Sequence, residues 1–579
     1  MNHPLIQENK FVIPISYGST EVIDTGKWGF QKPHPQFMTA PCQEACPAGN
    51  NIPKFLYLAQ KGEYGNALLT ILKENPFPGI CGRVCFHPCE VSCNRDKYDE
   101  SVSISALERY IFDTTSDQVP NLNPVQNVNG RGVAVVGSGP AGLSCAYFLR
   151  LLGHKVTVFE AYKEAGGIMT YGIPGYRLPK AIVKKEIARM IALGIEIKTG
   201  AKVGRDITFD ALNEYDAVFL SIGAGIESPL GIEGEAFEKV IHGLDFLKRI
   251  NSGSSIPGGQ DVIVVGGGNT AMDVARSSIR NGCRVTIAYR RGRAEMPAIK
   301  DEIDDTEEEG ARFEFLIQPV RIKMLSDKRL AVIFQRMKLG EPDASGRPRA
   351  IPVEGTDFIM ETDYLITATG ENVDLVSLPA DLIKNGLVYV DNFLRTKDAK
   401  MFAGGDVVDQ PRTIVTAIGA GKKAAISIDL YLKGVSPEKM FSGIRVGDKG
   451  SLSFEAYTSG GRFEMNRAAQ KVVTFDKLNT LYFEHTSRVK KRKLSREASL
   501  KSFQEVNLGL SAKEATTSVS RCFTCGTCNY CYNCYFFCPE GVIALDPIKG
   551  TKYVDYEHCK GCGTCAKSCP RNVVVMKEL

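Results

Sequence analysis

The sequence holds one tryptophan and seven histidines in 579 residues. No histidine stands in a motif with a candidate nucleophile, so a hydrolytic triad is not indicated. No stretch reaches the roughly 18 uncharged apolar residues that mark a membrane span. The N-terminal MNHPLIQENK lacks a basic segment followed by an apolar one, so no secretory signal is expected. Net charge is only +5, too small at this length to argue for nucleic acid as a partner. The basic run at residues 488–493 reads as solvated surface, and the acidic run at 301–309 as an exposed helix. What remains is ordinary: 43% hydrophobic and 24% charged residues, enough chain for roughly four domains of about 150 residues each.

Cysteine is nearly absent from the middle. Between residues 94 and 521 only Cys145 and Cys283 occur. The rest lie in two blocks, Cys42 to Cys93 and Cys522 to Cys569. Stapling disulfides are normally spread through a fold. Two tight terminal blocks point instead to metal or cluster sites in a reducing, cytoplasmic setting. Cys145 and Cys283, each alone, read as packing residues. Without a cysteine pair in the middle there is no disulfide relay, so electrons arriving there need another exit.

What is there begins with two glycine turns. The apolar run VAVVG leads into Gly137-Ser138-Gly139-Pro140-Ala141-Gly142, then a helical stretch, then KVTVFE. This is the strand–turn–helix–strand unit of a dinucleotide site. Gly137 permits the turn, Gly139 admits a pyrophosphate and Gly142 allows close helix packing. Glu160, ending the second strand, suits an unphosphorylated ribose, hence FAD. The unit recurs at VIVVG, with Gly266, Gly268, Asn269, Thr270 and Ala271 in the turn. Its second strand ends at Arg290 and Arg291, whose guanidiniums fit a 2′-phosphate, hence NADPH. Strand ends at Gly223 and Gly370, and the Gly405-Asp406 pair after FAG, add further close-approach positions for a flavoprotein. Asp406 could accept from ribityl hydroxyls.

The tail repeats one ligand run twice: Cys528, Cys531, Cys534 and Cys538-Pro539, then Cys559, Cys562, Cys565 and Cys569-Pro570. This is the C-x2-C-x2-C-x3-C-P run of two-cluster ferredoxins, whose fourth cysteine serves the other cluster. One 4Fe–4S cluster is therefore expected on Cys528, Cys531, Cys534 and Cys569, the second on Cys559, Cys562, Cys565 and Cys538. Zinc would favour C-x2-C pairs with a longer gap. Cys522 and Cys525 extend the ladder upstream and leave its register ambiguous: they ligate something further or are spare. The N-terminal block holds Cys42 and Cys46, then Cys81, Cys85, Cys89 and Cys93 at four-residue steps. That spacing could line thiols along one helix face, but Pro88 favours a turn.

Gly166-Gly167, Tyr171-Gly172-Ile173-Pro174, Arg177-Leu178-Pro179, the VVGGGNTAMD run, Met296-Pro297 and CGRVCFHPCEVSC occur in order. In these motifs residues 35–435 resemble the small subunit of bacterial glutamate synthase and its wider family, which includes the N-terminal half of dihydropyrimidine dehydrogenase. The resemblance implies an α/β architecture with two Rossmann-like domains, preceded by a helical iron–sulfur domain; the α+β ferredoxin-like domain that follows is expected from the tail's cysteine runs and is absent from the plain small subunit. Expected boundaries are 1–125 for the helical cluster domain, 126–240 with 365–434 for FAD, 241–364 for NADPH, 435–515 for a surface connector, and 516–579 for the ferredoxin domain. Gly167 and Arg177 join the cofactor-binding set on this ground. By position Cys46, Cys85, Cys89 and Glu108 match one cluster, and Cys42 and Cys93 match another. The C-x2-C pair that relatives carry before Cys42 is missing, so Cys81 and another group would have to complete the second site.

The function expected is an NADPH-linked FAD and iron–sulfur oxidoreductase subunit, exchanging electrons with a ferredoxin or a partner redox enzyme. It would act in a hetero-oligomer, with no general base required. A glutamate synthase small subunit is the alternative. A nucleic-acid-binding iron–sulfur protein would leave two dinucleotide folds unexplained.

Overall fold

The computed structural model describes residues 24–124, 130–343, 346–376, 378–460, 471–546 and 551–579. Gly132–Val136 forms the centre of a five-stranded parallel sheet, between Lys155–Phe159 and Ala217–Leu220, with Glu196–Lys198 and Met401–Ala403 outermost. Its central strands are continuous apolar runs because both faces are covered, one by helices and the other by loop and short-strand residues such as Val373, Leu382 and Val388. Helices Pro140–Leu151 and Ile414–Leu432 pack backbone to backbone there. A Cβ on Gly421 would lie 2.2 Å from the Ala141 carbonyl oxygen.

A second five-stranded parallel sheet is inserted between two strands of the first. Its order is Arg312–Phe315, Arg284–Tyr289, Asp261–Val265, Tyr364–Thr367 and Val240–His242. An antiparallel meander, Ile317–Met324, Leu330–Pro342, Pro348–Pro352 and Phe358–Thr362, adjoins it.

Helices Ile52–Gln60, Tyr64–Leu72, Pro78–Val84 and Ile104–Thr115 frame the first cysteine block and share one apolar core with the first sheet and its helices. Helix Ile414–Leu432 serves both. A Cβ on Gly419 would come within 2.2 Å of the Pro47 carbonyl oxygen, and Lys422 pairs with Glu74. The cluster-bearing loop is thus pressed against the helix that opens onto the first glycine turn.

Within 435–515, expected as a connector packed over the surface, residues 471–515 run as a strap along the N-terminal helices. Glu505 pairs with Arg83 at 2.8 Å and Arg109 at 2.9 Å. Tyr98 donates to the Phe483 carbonyl at 2.6 Å. The basic run belongs to this strap: Arg488 bonds the buried Glu90, and Lys493 bonds Asp305. At the tail, Val574–Glu578 pairs antiparallel with Gln31–Pro35, so the two ends of the described chain meet. No helix among the described residues is long and apolar enough to cross a membrane.

Candidate cofactor and cluster sites

The first glycine turn has the geometry its three glycines require. Gly137 sits at φ +100°, and a Cβ there would be 2.5 Å from the Ser221 carbonyl oxygen. A Cβ on Gly142 would be 1.9 Å from the Gly137 carbonyl oxygen. Gly139 faces open space, with nothing within 4 Å of a notional Cβ. That gap is where a pyrophosphate can approach the backbone at a helix N-terminus. Gly167 closes over it, since its own Cβ would lie 3.0 Å from the Gly139 Cα. Glu160 is buried at the next strand end. It accepts from the Ser138 amide at 2.9 Å and the Tyr162 amide at 2.8 Å, so it braces the turn as well as facing the ribose position. Gly223 and Gly405 have positive φ and, with Asp406, line the same cavity. Burial pushes the Asp406 carboxyl up.

At the second turn Gly266 is again sterically obligatory, 2.3 Å from the Ala368 carbonyl oxygen for a notional Cβ, and Gly268 again faces open space. Asn269 accepts from the Ile299 amide at 3.0 Å and Thr270 reaches Glu371 at 3.4 Å. Gly370 has φ +122° at the neighbouring strand end.

Two expected cofactor contacts are otherwise engaged. Arg291 is buried, donating to the Pro348 carbonyl at 2.6 Å and paired with Asp343 on the meander. Arg290, beside it, is exposed and makes no hydrogen bond or ion pair among the described residues, so it is the guanidinium free for a phosphate. Arg177 is tied to Asp273 at 2.8 Å and Glu302 at 3.0 Å. It bridges the two dinucleotide units through buried Asp273 and half-buried Glu302 while still lining the cavity.

One cavity of about 1500 Å³ runs through all of this. Its walls include Gly139 and Asp406, Asn269 and Thr270, Cys85 and His87, with Arg488 and Lys491 of the strap. Cys85, an expected cluster ligand, and residues of both glycine turns therefore share one chamber. His87 is read from the sequence as structural. It stands at φ +58° in the wall, its Nε2 buried and unpartnered among the described residues. Burial holds its imidazole down at about 4.

The four-residue thiol spacing does not produce one helix. Pro78–Val84 ends before Cys85, and Pro88 starts a new short helix, Pro88–Val91, because a proline cannot continue the old one. The turn between them lets the His87 amide donate to Cys85 Sγ at 3.4 Å. Cys46, Cys85, Cys89 and Glu108 are electrostatic neighbours. Glu108 accepts from Asn50 at 3.2 Å and Asn75 at 3.0 Å, both on Oε1. Oε2 has no hydrogen bond among the described residues. Burial pushes this carboxyl up to about 8, an environment that favours a charge-neutralising iron. Cys81 lies 3.9 Å from Asn75 Oδ1 and has Glu108 and Cys85 as charged neighbours, beside the first set.

In the tail, Cys534 neighbours Cys528, Cys531 and Cys569, while Cys559 neighbours Cys538 and Cys562, and Cys565 neighbours both Cys559 and Cys562. The fold thus gathers the thiols in the crossed arrangement that shares a fourth ligand between runs. All 18 cysteines are free thiols. No three His, Cys, Asp or Glu side chains among the described residues gather around a single-ion point. A four-iron cluster binds each cysteine through a different iron, so its ligands need not meet at one.

These features define a class: a flavin- and pyridine-nucleotide-dependent oxidoreductase with 4Fe–4S domains at both ends. The sequence matches the pyridine nucleotide-disulphide oxidoreductase family over residues 131–421. It also matches the dihydropyrimidine dehydrogenase domain II, 4Fe-4S cluster, over 36–119, and a 4Fe-4S binding domain over 552–575. It is 40% identical over 428 residues, 69% of this chain, to the NADP(+)-dependent formate dehydrogenase subunit beta of Moorella thermoacetica. The NADPH-Fe(3+) oxidoreductase subunit beta of Geobacter sulfurreducens is 38% identical over 430 residues, 68% of this chain. The matched parts are 60% and 64% of those relatives' lengths. The glutamate synthase [NADPH] small chain of Escherichia coli is 37% identical over 68% of this chain and 88% of its own length. The chain belongs to the pyridine nucleotide-disulphide oxidoreductase family, in the glutamate synthase small-chain-like group with added iron–sulfur domains.

Proposed function

We propose that the protein moves electrons between NADP(H) and a partner redox protein, by way of FAD and 4Fe–4S clusters. The observation that carries this reading is the shared chamber: both glycine turns and the cluster ligand Cys85 line one cavity. NADPH gives up a hydride and leaves NADP⁺; bound FAD and clusters supply the conversion of that electron pair into single electrons. Gly139 and the helix behind it would receive the FAD pyrophosphate, and Gly268 that of NADPH. Arg290 would hold the 2′-phosphate. Cys46, Cys85, Cys89 and Glu108 would hold the cluster nearest the chamber. The two tail sets would hold the clusters that meet the acceptor.

That the two subunit-beta relatives are named as subunits supports a hetero-oligomer, with a ferredoxin or a partner enzyme as donor or acceptor. The thiol-rich, disulfide-free chain suits a reducing, cytoplasmic setting. Anaerobic mixing with NADPH should bleach the flavin first and the broad cluster absorbance afterwards. Cluster bleaching without prior flavin reduction would overturn the order proposed. Recovery of the untagged protein with a glutamate-forming large subunit would transfer it to the alternative assignment.

A further inference from the structure

Cys522 and Cys525 sit just ahead of the ferredoxin ladder but do not belong to it in space. The electrostatic neighbours of Cys42 are Cys93, Cys525, Cys522 and Cys46. Cys525 in turn neighbours Cys522 and Cys93. Four thiols from three distant stretches are therefore close enough to interact electrostatically. Cys42 is 9% exposed and Cys525 8%, and none of the four is in a disulfide.

The local backbone repeats a conformation seen at other candidate ligands. The Thr524 amide donates to Cys522 Sγ at 3.3 Å, with Thr524 at φ +49°. The Tyr530 amide does the same to Cys528 Sγ at 3.4 Å, with Tyr530 at φ +56°. His87 does so to Cys85 at φ +58°. Non-glycine residues seldom adopt positive φ, and such strain is kept where the surroundings demand it. The turn gives the sulfur an amide donor, which stabilises a thiolate.

The turn is also fixed in place. Phe523 is 2% exposed between Tyr98 and Phe483. Arg95 donates to the Arg521 carbonyl at 2.8 Å, Asn94 Nδ2 lies 3.6 Å from Cys525 Sγ, and Arg571 bonds Thr524. Arg571 and Arg95 are cationic neighbours of Cys522, so positive charge stands beside thiolates that burial would otherwise leave uncompensated.

We infer that Cys42, Cys93, Cys522 and Cys525 hold a further 4Fe–4S cluster, with the ferredoxin-side turn supplying two ligands across the domain boundary to the N-terminal domain. Cys42 is four residues from Cys46 of the chamber-side set, and Cys525 is three residues from Cys528 of the tail set. The site therefore fills the gap between the two and makes the relay continuous. The inference deepens the electron-transfer reading but is tested apart from it, by composition.

Anaerobically purified holoprotein should contain about 16 irons and 16 sulfides per FAD, against about 12 without this site. The double variant Cys522→Ala/Cys525→Ala should lose about four irons, keep its FAD and keep NADPH reduction of the flavin. Its tail clusters should then be reduced far more slowly. A Cys145→Ser control should keep all its iron. Should the double variant fail to fold, Cys525→Ser, whose oxygen can still bind iron, should change one low-temperature EPR signal and leave the others. Wild-type iron near 12, one bound zinc per chain, or unchanged iron in the double variant would overturn the assignment. Failure of NADPH to reduce the flavin would instead strike the electron-transfer reading and leave the iron count standing.

Discussion

Lys422 and Glu74, 348 residues apart in the chain, meet at 2.6 Å with their side chains 0% and 2% exposed. Lys422 also donates to the Ala48 carbonyl, and Glu74 accepts from Ser453 at 2.6 Å and the Phe454 amide at 2.9 Å. This polar knot fastens the cluster loop to the flavin-side helix. Removing one partner strands a buried charge. Lys422→Met should therefore cost about 3–5 kcal/mol, read from denaturant unfolding of the anaerobic holoprotein. Lys422→Met/Glu74→Leu should recover part of that loss, because no unpaired charge is then left. A single variant as stable as wild type would show the knot to be idle.

The two arginines ending the second NADPH-side strand should behave differently. Arg290→Gln should raise the KM for NADPH by roughly tenfold or more, about 1.4 kcal/mol per decade, with little change for NADH. Arg291→Gln should lower thermal stability and affect both nucleotides alike, since Arg291 holds Asp343 and the Pro348 carbonyl. Dye-reduction kinetics with each nucleotide, beside melting curves, separates the two roles. Equal selectivity loss in both would contradict the geometry.

Glu186 gives the chain a pH dependence. Its carboxylate accepts from the Gly79 amide at 2.8 Å and the Ile80 amide at 3.3 Å, at the start of the helix carrying Cys81. Burial nevertheless pushes its carboxyl up to about 8. The folded state then binds a proton that the unfolded state has released between about 4.5 and 8. The protonated acid's contribution is present at low pH and is lost as the pH climbs through 8. Glu186→Gln, permanently neutral, should flatten the fall in melting temperature between pH 6 and 8.5. An equally steep fall in the variant would rule this group out as its source.

Much of the architecture could be read along the chain. Gly137, Gly139 and Gly142 declare a dinucleotide turn because all three duties fall within one strand–turn–helix unit. The tail ladder is equally local, since its cysteines are set by C-x2-C turns. Less legible were residues whose duty depends on a remote neighbour. Arg290 and Arg291 look alike in sequence, and only the meander, which carries Asp343, takes one of them out of service. Arg177 matched a family motif but is held by Asp273 and Glu302. The basic run at 488–493 looked like solvated surface, yet Arg488 meets buried Glu90.

The sequence alone thus determined which cofactors this chain can hold, because turn geometry and ligand spacing are short-range properties of covalent structure. Only the tertiary structure decided how the sites are joined. The pairing of Gln31–Pro35 with Val574–Glu578 and the nest around Phe523 bring the tail against Cys42 and Cys93. That long-range packing has no signature in spacing or periodicity, since burial of Phe523 depends on partners hundreds of residues away in the chain.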